Sequence, residues 1–505
     1  MKNVDNQKAI GAFIKKLREK RSLTQGELAK MLGTSQSAIA RIETGGQNLT
    51  AGELLRISEA LEHKIVTLSD SYDFKIIGGK KLSGKIKTNT SKNGAMGLLS
   101  ASLINKGKTV LKGIPKIEEV NRMLEVFGAI GVKTRWVESD SLEISVPNKF
   151  NKEGLLHPSV GNMRSSLMLI PALAKNLGSF SMLHSGGCKM GERTIGAHRH
   201  VFEAFGIDVK SEKDRYVIKS KIKPAKEIVM YEQSDTGAIN AIICASLFSE
   251  KTRIFFAPPN YQVQEVCYFL DKLGVKIEGV GNTNLIVSGL DLIDKNVEYY
   301  NSEDPIESMM FLSAGIVTKS QLTVLRCPID FLSLELMKLK SMGLKYKLSK
   351  EYLSNNQRTK LVDITIYPSK LKALKDKIHA GPYPAINSDN LPFFVPIATQ
   401  AEGTTLIHDW MWENRAIYFT ELNRLGANVV LADPHRVFVN GPTPLRASQV
   451  VCPPALRPAM IILIAMLASP GVSILRSVYS IARGYEDVAN RLNSIGASVE
   501  KITGI

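Results

Sequence analysis

The sequence predicts a small all-α domain followed by a large α/β body. Three observations support this prediction. At 505 residues the chain is too long for a single compact core. Residues 8–68 carry the apolar spacing of short helices, whereas helix and strand signals alternate from Phe74 onward. Within this second part, one helix-to-strand unit recurs six times.

The N-terminal domain is expected to span residues 1–70 and to contain a helix-turn-helix. An apolar periodicity runs through Ile14, Leu17, Leu23, Leu28, Met31 and Leu32. Thr24 and Glu27 match a capping box, which predicts that a helix starts at Thr24. Gly33 predicts the end of that helix, and a second helix is expected from Thr34 to Glu43.

The stretch from Leu23 to Glu43 resembles the lambda-repressor-like family of helix-turn-helix domains. The resemblance implies that the second helix enters the DNA major groove, where Gln36, Ser37 and Arg41 face bases while Gln25 touches a phosphate. A dimer is expected, because residues 1–70 hold only 11 Lys and Arg against 8 Asp and Glu. The alternative is a small helical domain that contacts another protein.

The repeated unit begins after a polar linker predicted at residues 69–73. Each copy is an amphipathic helix that ends at an apolar-Gly-apolar step and leads into a strand; the glycines are Gly131, Gly206, Gly274, Gly343, Gly426 and Gly496. Six copies with a period of roughly 70 residues predict two lobes of three repeats each. A cleft between lobes is a common ligand site.

Composition excludes several classes of protein. The N-terminus lacks the apolar core of a signal peptide, and the longest apolar run, 459–468, is too short to span a bilayer. Five scattered cysteines without a C-x-x-C pair support neither a disulfide framework nor a zinc site. A cytoplasmic protein without a metal is therefore expected. Most of the net charge of +17 lies outside residues 1–70, and this excess suits an anionic small substrate as well as DNA.

The stretch 184–200 combines four glycines with a single thiol, Cys188, five residues before Arg193. A thiol near cationic groups can be held as the reactive thiolate. The alternative is a mobile surface loop with an incidental cysteine. Further polar clusters interrupt the repeats at 91–94, 162–165, 387–390, 412–415, 456–457 and 482–486.

With these clusters, the chain from about Phe74 to its C-terminus resembles the enolpyruvyl transferases, and among them the branch that acts on UDP-N-acetylglucosamine. The resemblance implies an inside-out α/β barrel of two lobes. One lobe would comprise residues 74–92 plus 304–505. The other would comprise residues 93–303 and carry the cysteine loop.

The resemblance also implies roles for particular residues. Five cations match the clamp on phosphoenolpyruvate, and Lys92 is counted with the catalytic groups: Lys92, Arg164, Arg193, Arg457 and Arg483. A phosphate and a carboxylate each suit bidentate guanidinium recognition. Cys188 would be the general acid and Asp389 the general base. Asn93, Trp412 and Arg415 would contact the sugar nucleotide, and no cofactor is implied.

Three hypotheses follow. In the first, the chain transfers the enolpyruvyl group to the 3′-hydroxyl of UDP-N-acetylglucosamine, a peptidoglycan precursor step, and also binds DNA. In the second, the acceptor is a different nucleotide or sugar, because Gly196, Gln233 and Pro305 replace family residues on the nucleotide side. In the third, the transferase body is the ligand sensor of a transcription regulator. The presence of Cys188 and Asp389 argues against the third hypothesis.

Overall fold

The computed structural model describes residues 10–15, 17–19, 21, 23–47, 49–61, 72–186 and 194–503. The chain divides into two compact units, Met1–Tyr72 and Asp73–Ile505. Among the described residues, the first unit is α-helical and the second mixes helices and strands, as the sequence predicted. None of the described helices is both long and apolar enough to cross a membrane.

The first unit contains a helix-turn-helix. Residues 10–15 and 17–19 are helical, and three helices follow: α1 (Gln25–Leu32), α2 (Gln36–Glu43) and α3 (Ala51–Ala60). Apolar side chains form its core: Ile14, Leu17, Leu28, Ala29, Leu32, Ile39, Ile42, Ile57 and Leu61.

Local sequence signals explain where these helices begin and end. The capping box is confirmed, because the Thr24 side chain accepts from Glu27 N while the Glu27 carboxylate accepts from Thr24 N. The helix α1 ends at Gly33, whose φ of 63° is left-handed. The next helix begins at Gln36, two residues later than predicted, because the Ser35 side chain caps its first turn.

Met31, a member of the predicted apolar periodicity, is 54% exposed. One detail of the sequence prediction is wrong. Tyr72 and Asp73 belong to a strand rather than to the predicted linker. Asp73 is buried and accepts a hydrogen bond from Ser477 N at 2.8 Å. The linker residues 69–71 lie outside the described residues.

From Tyr72 onward the chain forms the following strands: β1 (Tyr72–Gly78), β2 (Lys85–Lys87), β3 (Thr109–Lys112), β4 (Lys133–Trp136), β5 (Leu142–Ser145), β6 (Ser179–Leu183), β7 (Ile207–Ser211), β8 (Arg215–Ser220), β9 (Glu227–Val229), β10 (Lys251–Phe255), β11 (Lys276–Glu278), β12 (Leu285–Ser288), β13 (Val297–Tyr300), β14 (Leu322–Pro328), β15 (Lys345–Leu348), β16 (Tyr352–Leu353), β17 (Lys360–Tyr367), β18 (Ile378–His379), β19 (Gly403–His408), β20 (Asn428–Asp433), β21 (Arg436–Gly441), β22 (Gln449–Val451), β23 (Gly471–Arg476) and β24 (Val499–Thr503).

The helices of the second unit are α4 (Lys92–Ser102), α5 (Glu118–Ala129), α6 (Pro158–Gly161), α7 (Ile170–Asn176), α8 (Gly196–Ala204), α9 (Asp235–Ala245), α10 (Tyr261–Lys272), α11 (Pro305–Val317), α12 (Ser333–Ser341), α13 (Phe394–Ala398), α14 (Leu456–Ala468), α15 (Tyr479–Ala482) and α16 (Val488–Asn493). Short 3₁₀ helices lie at Lys152–Leu156, Arg164–Leu169, Ile329–Phe331, Leu391–Phe393 and Ala416–Leu425.

The described strands form six small sheets. Their strand orders are β22-β23-β1-β24, β15-β17-β14-β2, β13-β3-β5-β4, β6-β8-β7, β11-β12-β10-β9 and β18-β19-β21-β20. Five of the sheets contain one edge strand that pairs in parallel with its neighbour, and these edge strands are β22, β2, β13, β9 and β18. Phe74 of β1 lies opposite Leu475 of β23, so the two ends of this unit meet in one sheet.

Six helical segments lie in the interior and are buried over most of their length. They are α4, the 3₁₀ helix Arg164–Leu169 with α7, α9, α11, the 3₁₀ helix Leu391–Phe393 with α13, and α14. Strands such as β10 alternate buried and exposed residues, so their sheets turn one face to solvent. Helices at the centre and sheets around them give the predicted inside-out arrangement.

The glycine of each repeat ends a helix in the left-handed conformation, as predicted: Gly131, Gly206, Gly274, Gly343, Gly426 and Gly496. The requirement is strictest at Gly206, where φ is 75°. A Cβ atom there would lie 2.3 Å from Lys221 O. Only glycine combines this conformation with so close a backbone approach.

Candidate active site and DNA-binding helix

A cavity of about 480 Å³ is lined by most of the side chains that the sequence singled out. Interior segments begin at its wall with Lys92, Arg164, Asp235 and Leu456. Helix N-termini carry unpaired N–H groups and partial positive charge, which favours anions. Eight predicted site residues line the cavity: Lys92, Asn93, Arg164, Asp389, Trp412, Arg415, Arg457 and Arg483.

The predicted Cys188 and Arg193 lie in 187–193, outside the described residues. The described chain resumes at Thr194, which lines the cavity. The Thr194 carbonyl accepts a hydrogen bond from Arg164 Nη2. Burial lowers the pKa of Arg164, but a guanidinium stays charged in proteins. Arg164 therefore connects the cavity wall to the chain that follows this stretch.

Asp389 and Arg457 form an ion pair on the wall of the cavity. Arg457 Nη2 donates to Asp389 Oδ2 at 3.0 Å, and Arg457 Nη1 donates to the Tyr485 hydroxyl at 2.7 Å. Burial acts to raise the pKa of Asp389, but the Arg457 and Arg415 guanidinium groups outweigh it and hold this pKa below its ordinary value. Asp389 is therefore ionised at neutral pH and can accept a proton.

Arg415 is fully buried, and its guanidinium is bound within the protein. It donates to both carboxylate oxygens of Asp409, at 2.5 and 2.8 Å, and to Ser388 O at 2.7 Å. Its Nη1 lies 3.8 Å from Asp389 Oδ1, and its Cζ lies 5.2 Å from the centroid of the Trp412 ring. These contacts make Arg415 a positioning residue for Asp389, and its predicted contact with the sugar nucleotide stays a prediction.

Glu119, at the start of α5, lies between two of the predicted clamp cations. Its Oε2 accepts from Arg483 Nη2 at 3.1 Å and lies 3.8 Å from Lys92 Nζ. All three side chains line the cavity. The sequence does not single out Glu119, because an acidic residue in the first turn of an amphipathic helix is ordinary.

Asn93 follows Lys92 at the start of α4. Its Nδ2 donates to the Tyr261 hydroxyl at 2.9 Å. Tyr261 is buried at the start of α10, and its ring packs edge-on against Phe331, with centroids 5.8 Å apart. The predicted sugar contact of Asn93 would therefore be made by a side chain that is already held in place.

A second group of polar residues lines the cavity without having been predicted. It comprises Glu232, Ser234, Asp235 and Thr236 before and within the first turn of α9, together with Gln262 of α10 and His198 of α8. Burial raises the pKa of Asp235 to about 7, and the charge of Asp389 adds to this effect. The available signal was the polar run Ser234–Thr236 at the start of an otherwise apolar helix.

The four cysteines among the described residues have similar surroundings. Cys244, Cys267, Cys327 and Cys452 are all buried. Burial raises the pKa of each thiol, which makes the thiolate scarce. Among the described residues, no group of His, Cys, Asp and Glu side chains has the arrangement of a metal site.

The helix α2 of the first unit carries three of the four predicted DNA contacts. Gln36, Ser37 and Arg41 are exposed on it, and Ser37 Oγ lies 2.9 Å from Ser35 Oγ. Gln25 is half-buried on α1, and its Nε2 donates to Glu43 Oε2 at 2.9 Å. Glu43 is itself buried and accepts from Arg18 at 2.6 Å. An exposed face of α2 is thus available, whereas Gln25 takes part in a buried polar network.

Two family models match the chain. The model described as EPSP synthase (3-phosphoshikimate 1-carboxyvinyltransferase) matches residues 76–492. The model described as helix-turn-helix matches residues 14–64. The two matches follow the division of the chain into two compact units.

Proteins similar to this chain include several named UDP-N-acetylglucosamine 1-carboxyvinyltransferase. The one from Treponema denticola is 31% identical, over 85% of this chain and 99% of its own length. That from Campylobacter hominis is 30% identical, over 84% of this chain and 98% of its own length.

Solved structures support the same fold. The enolpyruvyl transferase NikO from Streptomyces tendae superposes with a TM-score of 0.73 at 22% identity, covering 86% of this chain and all of that one. The EPSP synthase from Acinetobacter baumannii superposes with a TM-score of 0.65 at 16% identity and the same coverage. The chain therefore belongs to the EPSP synthase family of enolpyruvyl transferases and carries a helix-turn-helix domain at its N-terminal end.

Proposed function

We propose that the chain transfers the enolpyruvyl group of phosphoenolpyruvate to the 3′-hydroxyl of UDP-N-acetylglucosamine and releases phosphate. The observation that carries this proposal is the cavity in which Asp389 lies among Lys92, Arg164, Arg457 and Arg483. The cations match a substrate with a phosphate and a carboxylate. The choice of acceptor rests on the names of the relatives at about 30% identity.

In this reaction the cations bind phosphoenolpyruvate and stabilise the charge that grows as phosphate leaves. Arg164, Arg457 and Arg483 supply guanidinium groups, and Lys92 supplies a point charge at the start of α4. Arg193 would complete the clamp from within the 187–193 stretch. The extents we assign to the two lobes, 74–92 plus 304–505 and 93–303, are supported by an apolar core whose buried members all lie between Ala95 and Tyr299.

The proton transfers are assigned to two residues. Asp389 takes the proton of the acceptor hydroxyl, whose oxygen then bonds to C2 of phosphoenolpyruvate. Cys188 delivers a proton to C3, which gives a tetrahedral intermediate. Loss of a proton from C3 and of phosphate from C2 then restores the double bond as an enol ether.

The test is release of phosphate from phosphoenolpyruvate with UDP-N-acetylglucosamine as acceptor. Wild type is expected to turn over, and Cys188→Ala is expected to lose the activity. Cys452→Ala is the matched control, since this thiol is buried and does not line the cavity. Absence of phosphate release by the wild type with this acceptor would refute the proposed reaction.

We further propose that residues 1–70 bind DNA as a dimer, with Gln36, Ser37 and Arg41 at base edges and Gln25 at a phosphate. The support is the exposed face of α2 within a helix-turn-helix. Arg41→Ala is expected to weaken retention on DNA, whereas Lys30→Ala, an exposed basic residue of α1, is the control. Deletion of residues 1–70 is expected to abolish retention. Unchanged retention after deletion would contradict the assignment.

A further inference from the structure

The sheet β15-β17-β14-β2 has a strongly basic surface. Its four strands contain six Lys and Arg residues and one acid, Asp363. In β2, Lys85 and Lys87 are exposed, whereas Ile86 between them is buried. Because side chains alternate along a strand, both lysines lie on the face of the sheet that is turned away from the core.

The strand register places lysines at both edges of this face. Lys85 of β2 pairs with Thr323 of β14, and Thr323 pairs with Thr365 of β17. Thr365 in turn pairs with Lys347 of β15. The two threonine hydroxyls lie 2.9 Å apart. One row across the sheet therefore has a lysine at each end and two hydroxyl groups between them.

A second lysine flanks each end of this row: Lys87 lies two residues along β2, and Lys345 lies two residues along β15. We call these four lysines, with Thr323 and Thr365, the lysine face. A strand spacing of about 4.8 Å puts its two edges about 14 Å apart, which is comparable with the DNA major groove, about 12 Å wide. Side chains on the two edges can therefore reach phosphates on both sides of a groove.

The charge of the lysine face is not compensated. Among the described residues, none forms an ion pair or a hydrogen bond with the ammonium groups of its four lysines. The acid of these strands, Asp363, already accepts hydrogen bonds through Oδ1 from Arg326 N at 3.0 Å and from the Tyr352 hydroxyl at 2.6 Å. The ammonium groups are thus available to an external anion.

Acids accompany the bases on the other five sheets of the described chain. Lys75 pairs with Glu500 at 3.2 Å, and Lys112 pairs with Glu298 at 2.7 Å. The neighbours on the remaining sheets are Lys219 with Asp208, Arg253 with Glu227, and Arg436 with Asp433. Edge-strand lysines also oppose aggregation, but that role does not require hydroxyl groups between them or the absence of paired acids.

Cations and hydroxyl groups in one row suit a polymer of phosphates. Lysine binds a phosphate as a point charge, and threonine hydroxyls donate hydrogen bonds to phosphate oxygens. Contacts of this kind fix a protein on the duplex without reading its base sequence. Since the chain also carries a helix-turn-helix, the polymer favoured by the structure is DNA.

The charge of the first unit leads to the same partner. Residues 1–70 hold 11 Lys and Arg against 8 Asp and Glu, although neutralisation of phosphates supplies a large share of DNA affinity. Both units belong to one chain. DNA that is bound by the first unit therefore raises the effective concentration of phosphates for the second.

We infer that the lysine face binds the phosphate backbone of double-stranded DNA that flanks the site bound by the helix-turn-helix. This inference rests on the proposed DNA binding by residues 1–70, to which it adds a contact that does not depend on base sequence. None of the residues of the lysine face lines the cavity of the candidate active site.

The test measures binding of a fluorescent DNA duplex of mixed sequence to the full-length protein. The face variant combines Lys85→Gln, Lys87→Gln, Lys345→Gln and Lys347→Gln. The control variant removes the same charge from exposed strand lysines of three other sheets, by Lys133→Gln, Lys219→Gln, Lys251→Gln and Lys276→Gln. At about 0.1 M salt, Kd is expected to rise at least about tenfold in the face variant and less than about threefold in the control variant.

The salt dependence of binding identifies the phosphate contacts. The slope of log K against log salt should become shallower by about 0.9 for each contact that the face variant loses. The thermal unfolding midpoint should match that of the control variant, because all four lysines are exposed. Equal losses of affinity in the two variants would assign the effect to net charge and would overturn the inference.

Arg41→Ala separates this inference from the proposed helix-turn-helix contacts. If Arg41→Ala weakens binding while the face variant binds like its control, the inference fails alone. If the face variant loses affinity while Arg41→Ala and Lys30→Ala bind alike, the proposed base contacts fail and the lysine face is supported. If the wild type binds no DNA, both fail. Loss of binding to phosphatidylglycerol vesicles, with unchanged binding to DNA, would assign the face to a membrane and overturn the inference.

Discussion

Among single residues, Asp389 has a protonation state that is set by two cations at different distances. Arg457 donates to it at 3.0 Å, whereas Arg415 lies 3.8 Å away and is bound bidentately to Asp409. Their attraction outweighs the cost of burying the carboxylate and keeps its pKa below the ordinary value. A base of this kind is always ionised near neutral pH, although it is intrinsically weak.

Replacement of this base gives the first prediction. Asp389→Asn should lower kcat by at least about 100-fold, because general-base catalysis contributes about 10²- to 10⁴-fold. The measurement is single-turnover phosphate release, with Asp433→Asn, a half-buried acid outside the cavity, as control. In the wild type, protonation of Asp389 should not reduce the rate until the pH falls below the ordinary aspartate value of about 3.9. A rate that falls with a pKa near neutrality in both wild type and Asp389→Asn would assign that titration to another group.

The buried pair of Arg415 and Asp409 gives the second prediction. Both side chains are fully buried, so Arg415→Met leaves the Asp409 carboxylate without a counter-charge. Removing one partner of a buried pair costs about 3–5 kcal/mol of unfolding free energy. The pair of the exposed Arg424 and the half-buried Glu421 is the matched control, and Arg424→Met should cost less than about 1 kcal/mol. Denaturant unfolding measures both values, and similar small losses would show that burial does not matter here.

The sequence singled out the cations that line the cavity more completely than the acids that lie among them. Lys92, Arg164, Arg457 and Arg483 were singled out because a phosphate-bearing substrate requires cations and the family resemblance gives their positions. Glu119 and Asp409 were missed, since a single acidic residue on a helix or after a strand carries no distinguishing pattern. Their importance depends on which distant cation they meet in the fold.

At the element scale, the repeat glycines were predicted correctly because their reason is local. Each amphipathic helix ends at a residue in the left-handed conformation, and a few neighbouring residues determine where this residue lies. The beginning of α2 was displaced by two residues, because Ser35 rather than Thr34 supplies the cap. The partners of the edge strands could not be predicted, since β2 and β13 pair with strands far away in sequence.

Two glycines in contrasting backbone positions give the third prediction. Gly206 has a φ of 75° and approaches Lys221 O, whereas Gly128 lies within α5 and a Cβ there would meet no atom within 4 Å. Gly206→Ala should therefore destabilise the protein by about 1–2 kcal/mol or more. Gly128→Ala should be neutral or stabilise by about 0.5–1 kcal/mol. Thermal unfolding of the two variants measures the difference, and the same sign for both would contradict the argument.

At the scale of the whole molecule, residues far apart in sequence meet around a buried carboxyl group. Glu265 of α10 accepts hydrogen bonds from the Tyr299 hydroxyl, Ser302 N and the Asn356 amide. Burial raises its pKa to about 7, despite these hydrogen bonds. The contact with Asn356 joins residue 265 to the part of the chain after residue 304.

The raised pKa of Glu265 gives the fourth prediction. Between about pH 4.5 and 7, the unfolded chain has lost this proton while the folded protein keeps it, so the contribution of Glu265 to stability falls as the pH rises. Glu265→Gln removes this dependence. The unfolding free energy of the variant relative to wild type should therefore increase by up to about 3 kcal/mol from about pH 5 to about pH 8. The exposed Glu278→Gln is the control, and parallel pH curves for wild type and Glu265→Gln would refute the prediction.

The position of Glu119 between Lys92 and Arg483 has a consequence for substrate affinity. Under the proposed function, phosphoenolpyruvate meets cations that already have an internal anion as partner. Binding is then an exchange of one anion for another, so its net free energy is smaller than the sum of the new ion pairs. The protein thereby avoids a cluster of uncompensated positive charges before the substrate binds. Glu119 also competes with the product phosphate for the same cations.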